Sequence, residues 1–225
     1  MELHGFGHLL ISGFWVTLQL AVTSLVFGLL FGLLGAAAKL SPIRSLHAIG
    51  TLYTTLIRGI PELLLVLILY YGTSTLLNWL LGRYIEVGPF TAGVAALSLA
   101  FGAYATEVFR SAMLEIPKGQ REAALAIGMR PWAIFWHIEL PQLWRIAIPG
   151  LGNLFLVLLK DTALVSVVGL NELMRQAYVA AGNTKEPFTF YMAAALIYLT
   201  LTIISMQVTR WLERRANRGF EEARA

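Results

Sequence analysis

Four ionisable residues stand inside or at the ends of runs otherwise free of charge: Arg58 and Glu62, and the adjacent pair Lys160 and Asp161. A charge at the centre of a membrane costs roughly 2.5 to 3.5 kcal/mol even on insertion scales, so each such residue needs a partner or a ligand. Arg58 and Glu62 are four apart and share one helix face, with Gly59 and Pro61 between them. Pro61 frees a backbone carbonyl, which is tolerated at membrane depth only where protein or a water-filled cavity satisfies it. The pair therefore reads as a binding-site wall, or as a local ion pair in which Arg58 reaches for the interface. Lys160 and Asp161 are adjacent, so they point about 100° apart around a helix and cannot face one another. Asp161 and Glu62 match a cationic ligand group. Lys160 matches a carboxylate, or else pairs with Glu107 for structure alone.

Other chemistry is narrowly bounded. The chain has no cysteine, which excludes disulfides, thiolate metal sites and cysteine nucleophiles. His4, His8, His47 and His137 lack metal-ligand spacing. No GxxxxGK[ST] phosphate loop is present, so the chain is expected neither to hydrolyse ATP nor to hold a cofactor or metal of its own.

The elements that must position these groups are membrane helices. The 225 residues are 57% hydrophobic and 13% charged, with mean hydropathy +0.69, far from the balance of a soluble domain. A crossing needs about 20 apolar residues. Charge-free runs cover Leu9 to Ala38, Leu63 to Gly82, Val87 to Thr106 and Pro187 to Thr209, and Ile146 to Asn171 is interrupted only by Lys160 and Asp161. The expected fold is an all-α polytopic protein of about five spans, in one domain from 1 to 225. The first run is too long, and its N-terminal flank too poor in basic residues, for a secretory signal. Gly28 and Gly32 form a GxxxG pattern, read as helix packing inside the subunit.

Basic residues orient the spans. Junctions after the first, third and fifth runs hold Lys39, Arg44, Arg110, Lys118, Arg121, Arg130, Arg145 and five arginines of the tail, Arg218 and Arg224 among them. Junctions after the second and fourth hold only Arg83, Arg175 and Lys185. The N-terminus is expected outside and the C-terminus inside. The net charge of +4 is then topology, and nucleic acid is not needed to explain it.

One cytoplasmic loop, 113–145, is far more structured than a linker. In EAALAIGMRPWAIFWHIELP, Ala123, Ala124 and Ala126 favour a helix from Gln120 to Ile127, and Gly128 is placed to end it. Pro131 opens a second helix, Trp132 to Leu140, which Pro141 is expected to stop. Trp132, Phe135 and Trp136 suit the membrane interface. The small-residue face of the first helix suits either a surface loop or the groove of a partner.

The spacing Glu122-Ala123-Ala124, Gly128, Ile138, Leu140, Pro141 resembles the EAA motif of permease subunits of ABC importers. The likeness extends through GFWVTLQLAVTSLVFGLLFG, YTTLIRGIPELLLVLILYYG, FGAYATEVFRSAMLEIPKGQ and LLKDTALVSVVGLNEL, which resemble the polar amino acid subfamily over nearly the whole chain. Within it, RGIPELL and the tail WLERR are similar to permeases for histidine, lysine, arginine, ornithine and opines. The resemblance implies that Glu122, Ala123, Ala124 and Gly128 contact an ATP-hydrolysing subunit. It also implies a second permease subunit, paralogue or identical copy, two ATP-binding subunits that hold ATP and Mg, and a periplasmic or lipid-anchored amino-acid-binding protein. The place would be a bacterial cytoplasmic membrane, and the role non-catalytic. Permeases for neutral or acidic amino acids are the alternative, since those relatives more often carry a neutral residue where Glu62 stands. A stand-alone secondary transporter would call for inverted repeats; none is evident, and five spans do not halve.

Overall fold

The computed structural model describes residues 5–82 and 86–217; His4, Arg83, Arg218 and Arg224 lie outside them. Among the described residues, five helices are long and apolar enough to cross a membrane: α1 (Gly7–Leu40), α3 (Glu62–Leu81), α4 (Pro89–Glu115), α6 (Pro131–Val168) and α8 (Pro187–Asn217). Three shorter helices join them: α2 (Arg44–Gly59), α5 (Lys118–Ala126) and α7 (Leu173–Thr184). Prolines at the first turns of α4 and α6 need no backbone N–H there, while Gly82, Gly128 and Gly169 leave helices with positive φ.

The centre of the molecule is the contact of α1 with α4, made possible by glycine. A Cβ at Gly28 would lie 2.6 Å from Phe101 Cδ1, one at Gly32 2.7 Å from Ala105 Cβ, and one at Gly35 2.2 Å from Thr106 Oγ1. The GxxxG pattern is therefore packing within the chain. Partner numbers rise together along both helices, so α1 and α4 run parallel. Their C-terminal ends, carrying Lys39 and Glu115, lie on one side with α5.

On the opposite side α7 docks near the start of α1. Glu172 begins this helix: its carboxylate accepts from Met174 N at 2.8 Å and Arg175 N at 2.7 Å, filling the role of an N-cap. Thr17 of α1 and Tyr198 of α8 also donate to it, at 3.5 and 3.2 Å. The fully buried Glu172 thus ties α1, α7 and α8 together. Burial pushes its carboxyl above the usual carboxylate range, against the pull of the donors that surround it.

Pro141 does not stop a helix, contrary to the sequence expectation. The chain from Pro131 to Val168 is one apolar rod, because Phe135–Glu139 form a π-helical stretch. There the Leu140 N–H reaches back five residues to Phe135 O. The wide turn makes room for a proline that has no N–H to give. The expected span from Ile146 thus starts inside a rod that begins fifteen residues earlier, at Pro131.

Candidate functional site

The loop helix and the membrane rod are clamped to each other. α5 follows Pro117 and ends at Gly128, φ 80°, where Gly128 N donates to Leu125 O and Met129 N to Ala124 O, both at 3.0 Å. That pair of bonds is a Schellman closure and needs the left-handed conformation of the glycine. Arg121 Nη1 donates to Glu139 Oε1 at 2.8 Å, and Gln142 Nε2 to Gln120 Oε1 at 2.6 Å. Both acceptor and donor on the rod side, Glu139 and Gln142, are buried, so two polar contacts hold α5 to the start of α6.

Of the residues expected to meet an ATPase, Glu122, Ala123 and Gly128 are exposed, whereas Ala124 is turned inward at 4%. Ile127 between them is 80% exposed. On the second half of the loop Trp132 and Trp136 are exposed and meet edge to face, ring centroids 5.3 Å apart. The expected loop 113–145 shares its ends with the rods, since α4 reaches Glu115 and α6 starts at Pro131.

At the other end of α6, Lys160 and Asp161 diverge as adjacency requires. Lys160 is exposed. Asp161 turns to a cavity of about 20 Å³, room for about one water, lined also by Glu62, Phe101 and Tyr104. Glu62 is the first residue of α3, directly after the break at Gly59 to Pro61. Two carboxylates thus share one cavity, and the hydroxyl of Tyr104 reaches Glu62 Oε1 at only 3.4 Å.

Two pairings that the sequence left open as alternatives are not formed. Glu107 does not meet Lys160; it accepts from Lys39 Nζ at 2.5 Å and Arg110 Nε at 3.0 Å, linking α1 to α4. Arg58 does not pair with Glu62, because the break at Pro61 redirects the chain. Its guanidinium lies 5.2 Å over the Tyr104 ring and 3.9 Å from Glu107 Oε1. Sequence reasoning passed over Tyr104, which stands among Arg58, Glu62 and Asp161, and nothing in the sequence marks it among the other aromatic residues. Lys39 carries more than topology, and its place in the last turn of α1, beside an otherwise charge-free run, is the signal the sequence offers.

The arrangement sets two carboxylates, Glu62 and Asp161, on one cavity with room for about one water, and ties α5 through Arg121 and Gln120 to the start of the rod that carries Asp161. Residues 12–218 match the family model of the binding-protein-dependent transport system inner membrane component. The nopaline transport system permease protein NocQ of Agrobacterium fabrum is 48% identical over 221 residues, 96% of this chain and 94% of that protein. The arginine ABC transporter permease protein ArtQ of Haemophilus influenzae is 46% identical over 213 residues, 95% of this chain and 96% of that protein. A crystal structure of an amino acid ABC transporter with histidines superimposes with a TM-score of 0.82 at 34% identity, covering 93% of this chain and 95% of that one.

Proposed function

The chain belongs to the family of binding-protein-dependent transport system inner membrane components, and from that premise we propose that it is the permease of an ATP-driven importer for cationic amino acids or opines. It is a multi-pass membrane protein that works in a complex with other transport subunits. The observation that carries the substrate class is the cavity shared by Glu62 and Asp161. Two carboxylates on one apolar-lined cavity repel each other and lose hydration, and a single long hydroxyl contact does not offset either loss. A guanidinium, ammonium or imidazolium group offsets both once the cavity, here with room for about one water, widens to admit it. The names of relatives for arginine and nopaline support the same class.

The complex in this reading contains a second permease, paralogue or copy, two ATP-binding subunits that hold ATP and Mg, and an amino-acid-binding protein outside the bacterial cytoplasmic membrane. α5 faces the cytoplasm and offers Glu122, Ala123 and Gly128 to an ATPase cleft, while the buried Ala124 keeps the helix seated against its own chain. When the ATPase pair closes, α5 moves, and the Arg121–Glu139 and Gln120–Gln142 clamps carry that movement into α6. Asp161 then shifts against Glu62, which opens or closes the acidic cavity. The ligand shifts this equilibrium only by binding the two states unequally, as a cation between paired and separated carboxylates would.

The test is reconstitution of the permease complex with its ATPase and binding protein, measuring ATP hydrolysis on addition of arginine, histidine, glutamine or glutamate. Stimulation by arginine or histidine and not by glutamate is the expected result. Stimulation by glutamate alone would overturn the substrate class, and transport with no nucleotide would overturn the mechanism.

A further inference from the structure

A second cavity, of about 400 Å³, is lined by Lys39, Thr54, Thr55, Arg58, Tyr104 and Glu107. Tyr104 lines both this cavity and the acidic one, so the two lie side by side across a single tyrosine ring. Their charges are opposite. Around the second, Lys39, Arg58 and Arg110 surround one carboxylate, Glu107, which leaves two positive charges unmatched.

The three cations are not equally occupied. Lys39 Nζ donates to Glu107 and to Thr54 Oγ1, and Arg110 Nε donates to Glu107. Arg58, with 44% of its side chain exposed, stands 3.9 Å from the nearest carboxylate oxygen and makes no hydrogen bond among the described residues. Its planar fork of donors fits a carboxylate in two-point fashion. The guanidinium also lies 5.2 Å from the Tyr104 ring centroid, a cation–π contact.

We infer that Arg58 is the receptor for the α-carboxylate of the transported amino acid, whose cationic side chain is held by Glu62 and Asp161. The site is dipolar, and its two poles meet at Tyr104: the Arg58 guanidinium lies 5.2 Å from the ring centroid and the Tyr104 hydroxyl 3.4 Å from Glu62 Oε1. This inference rests on the reading of Glu62 and Asp161 as the acidic wall. It makes Arg58 a discriminator between amino acids and simple amines of the same side chain, a task no acidic wall performs. Lys39 and Arg110 make the direct hydrogen bonds to Glu107, which leaves Arg58 only a 3.9 Å ion-pair contact with that carboxylate.

The experiment uses the intact transporter, purified with its co-subunits in nanodiscs and without binding protein, and measures equilibrium binding of arginine and of agmatine, which is arginine lacking its carboxylate. Wild type is expected to prefer arginine by tenfold or more. Arg58→Gln is expected to weaken arginine about ten- to hundredfold, the range for a charged hydrogen-bond pair, and to leave agmatine within about threefold, so that the preference collapses. Arg58→Lys is expected to retain part of the preference as a point charge. Agmatine binding by Arg58→Gln also reports that the site has folded. An unchanged arginine-to-agmatine ratio in Arg58→Gln, or no preference in wild type, would overturn the inference. If Glu62→Gln with Asp161→Asn keeps both ligands at wild-type affinity, the acidic wall fails as well; if that variant loses both while Arg58→Gln keeps the ratio, the carboxylate assignment alone fails.

Discussion

Arg121 Nη1 lies 2.8 Å from Glu139 Oε1, and this pair joins the exposed loop helix to the buried start of the rod that carries Asp161. Arg121 is half exposed while Glu139 is buried, so the pair matters more for direction of movement than for stability. Arg121→Ala is expected to cost only about 1–2 kcal/mol, at the low end because one partner is screened by water. ATP hydrolysed per amino acid transported is expected to rise severalfold, measured with labelled arginine and phosphate release in the same proteoliposomes. An unchanged ratio would show that α5 drives α6 by another route.

Gly128 offers a separate check on the same helix. A Cβ there meets nothing within 4 Å, yet φ is 80°, so the cost of a substitution is backbone strain alone. Gly128→Val is expected to destabilise the turn by about 1–2 kcal/mol and to weaken ATPase binding, whereas Gly128→Asn is tolerated because asparagine enters the left-handed region more easily. Affinity of the two variants for the ATPase subunit decides this. Equal affinities would remove the Schellman closure from the account.

Packing of α1 on α4 is tested by a pair of glycines. At Gly35 a Cβ would stand 2.2 Å from Thr106 Oγ1, while at Gly182 it meets nothing within 4 Å. Gly35→Ala is expected to lower stability by about 1–3 kcal/mol through overpacking, and Gly182→Ala to leave it unchanged or raise it by up to about 1 kcal/mol. Thermal denaturation in detergent distinguishes them.

Glu172 gives a pH dependence with a definite sign. Glu172→Ala is expected to cost about 2–4 kcal/mol, by removing the cap of α7 and the acceptor for Thr17 and Tyr198. Because burial raises the carboxyl in the folded chain, the protonated form is the one the fold favours. The stability this group supplies is complete below the ordinary glutamate value of about 4.3 and declines as pH rises through the raised value. Glu172→Gln, which stays neutral, is expected to lose less stability than wild type between pH 5 and pH 8, read from melting temperatures at both.

Much of this architecture was legible in the residues, and the reason differs from element to element. Four charge-free runs and a fifth interrupted only by Lys160 and Asp161 announced five spans, since apolar length is a local property, and Gly28, Gly32 and Gly128 announced close approach and a helix end. Pro141 misled because the local rule that proline ends a helix was overridden by a π stretch, Phe135–Glu139, which no sequence periodicity marks. The Lys39–Glu107 pair joins residues 68 apart, and the Glu172–Thr17 contact residues 155 apart; neither separation leaves a periodic trace. Glu62 and Asp161 were each visible as misplaced charges, but their common cavity and the place of Tyr104 within it follow only from the way α3, α4 and α6 pack.

The most direct measurement is ATP-dependent uptake of labelled arginine by the complete reconstituted complex carrying Glu62→Gln together with Asp161→Asn, beside wild type. The account predicts that uptake falls at least tenfold, the cost of losing about two charge-assisted contacts, while ATPase assembly on Glu122 to Gly128 is unchanged. Arginine uptake at wild-type rate and affinity would contradict it.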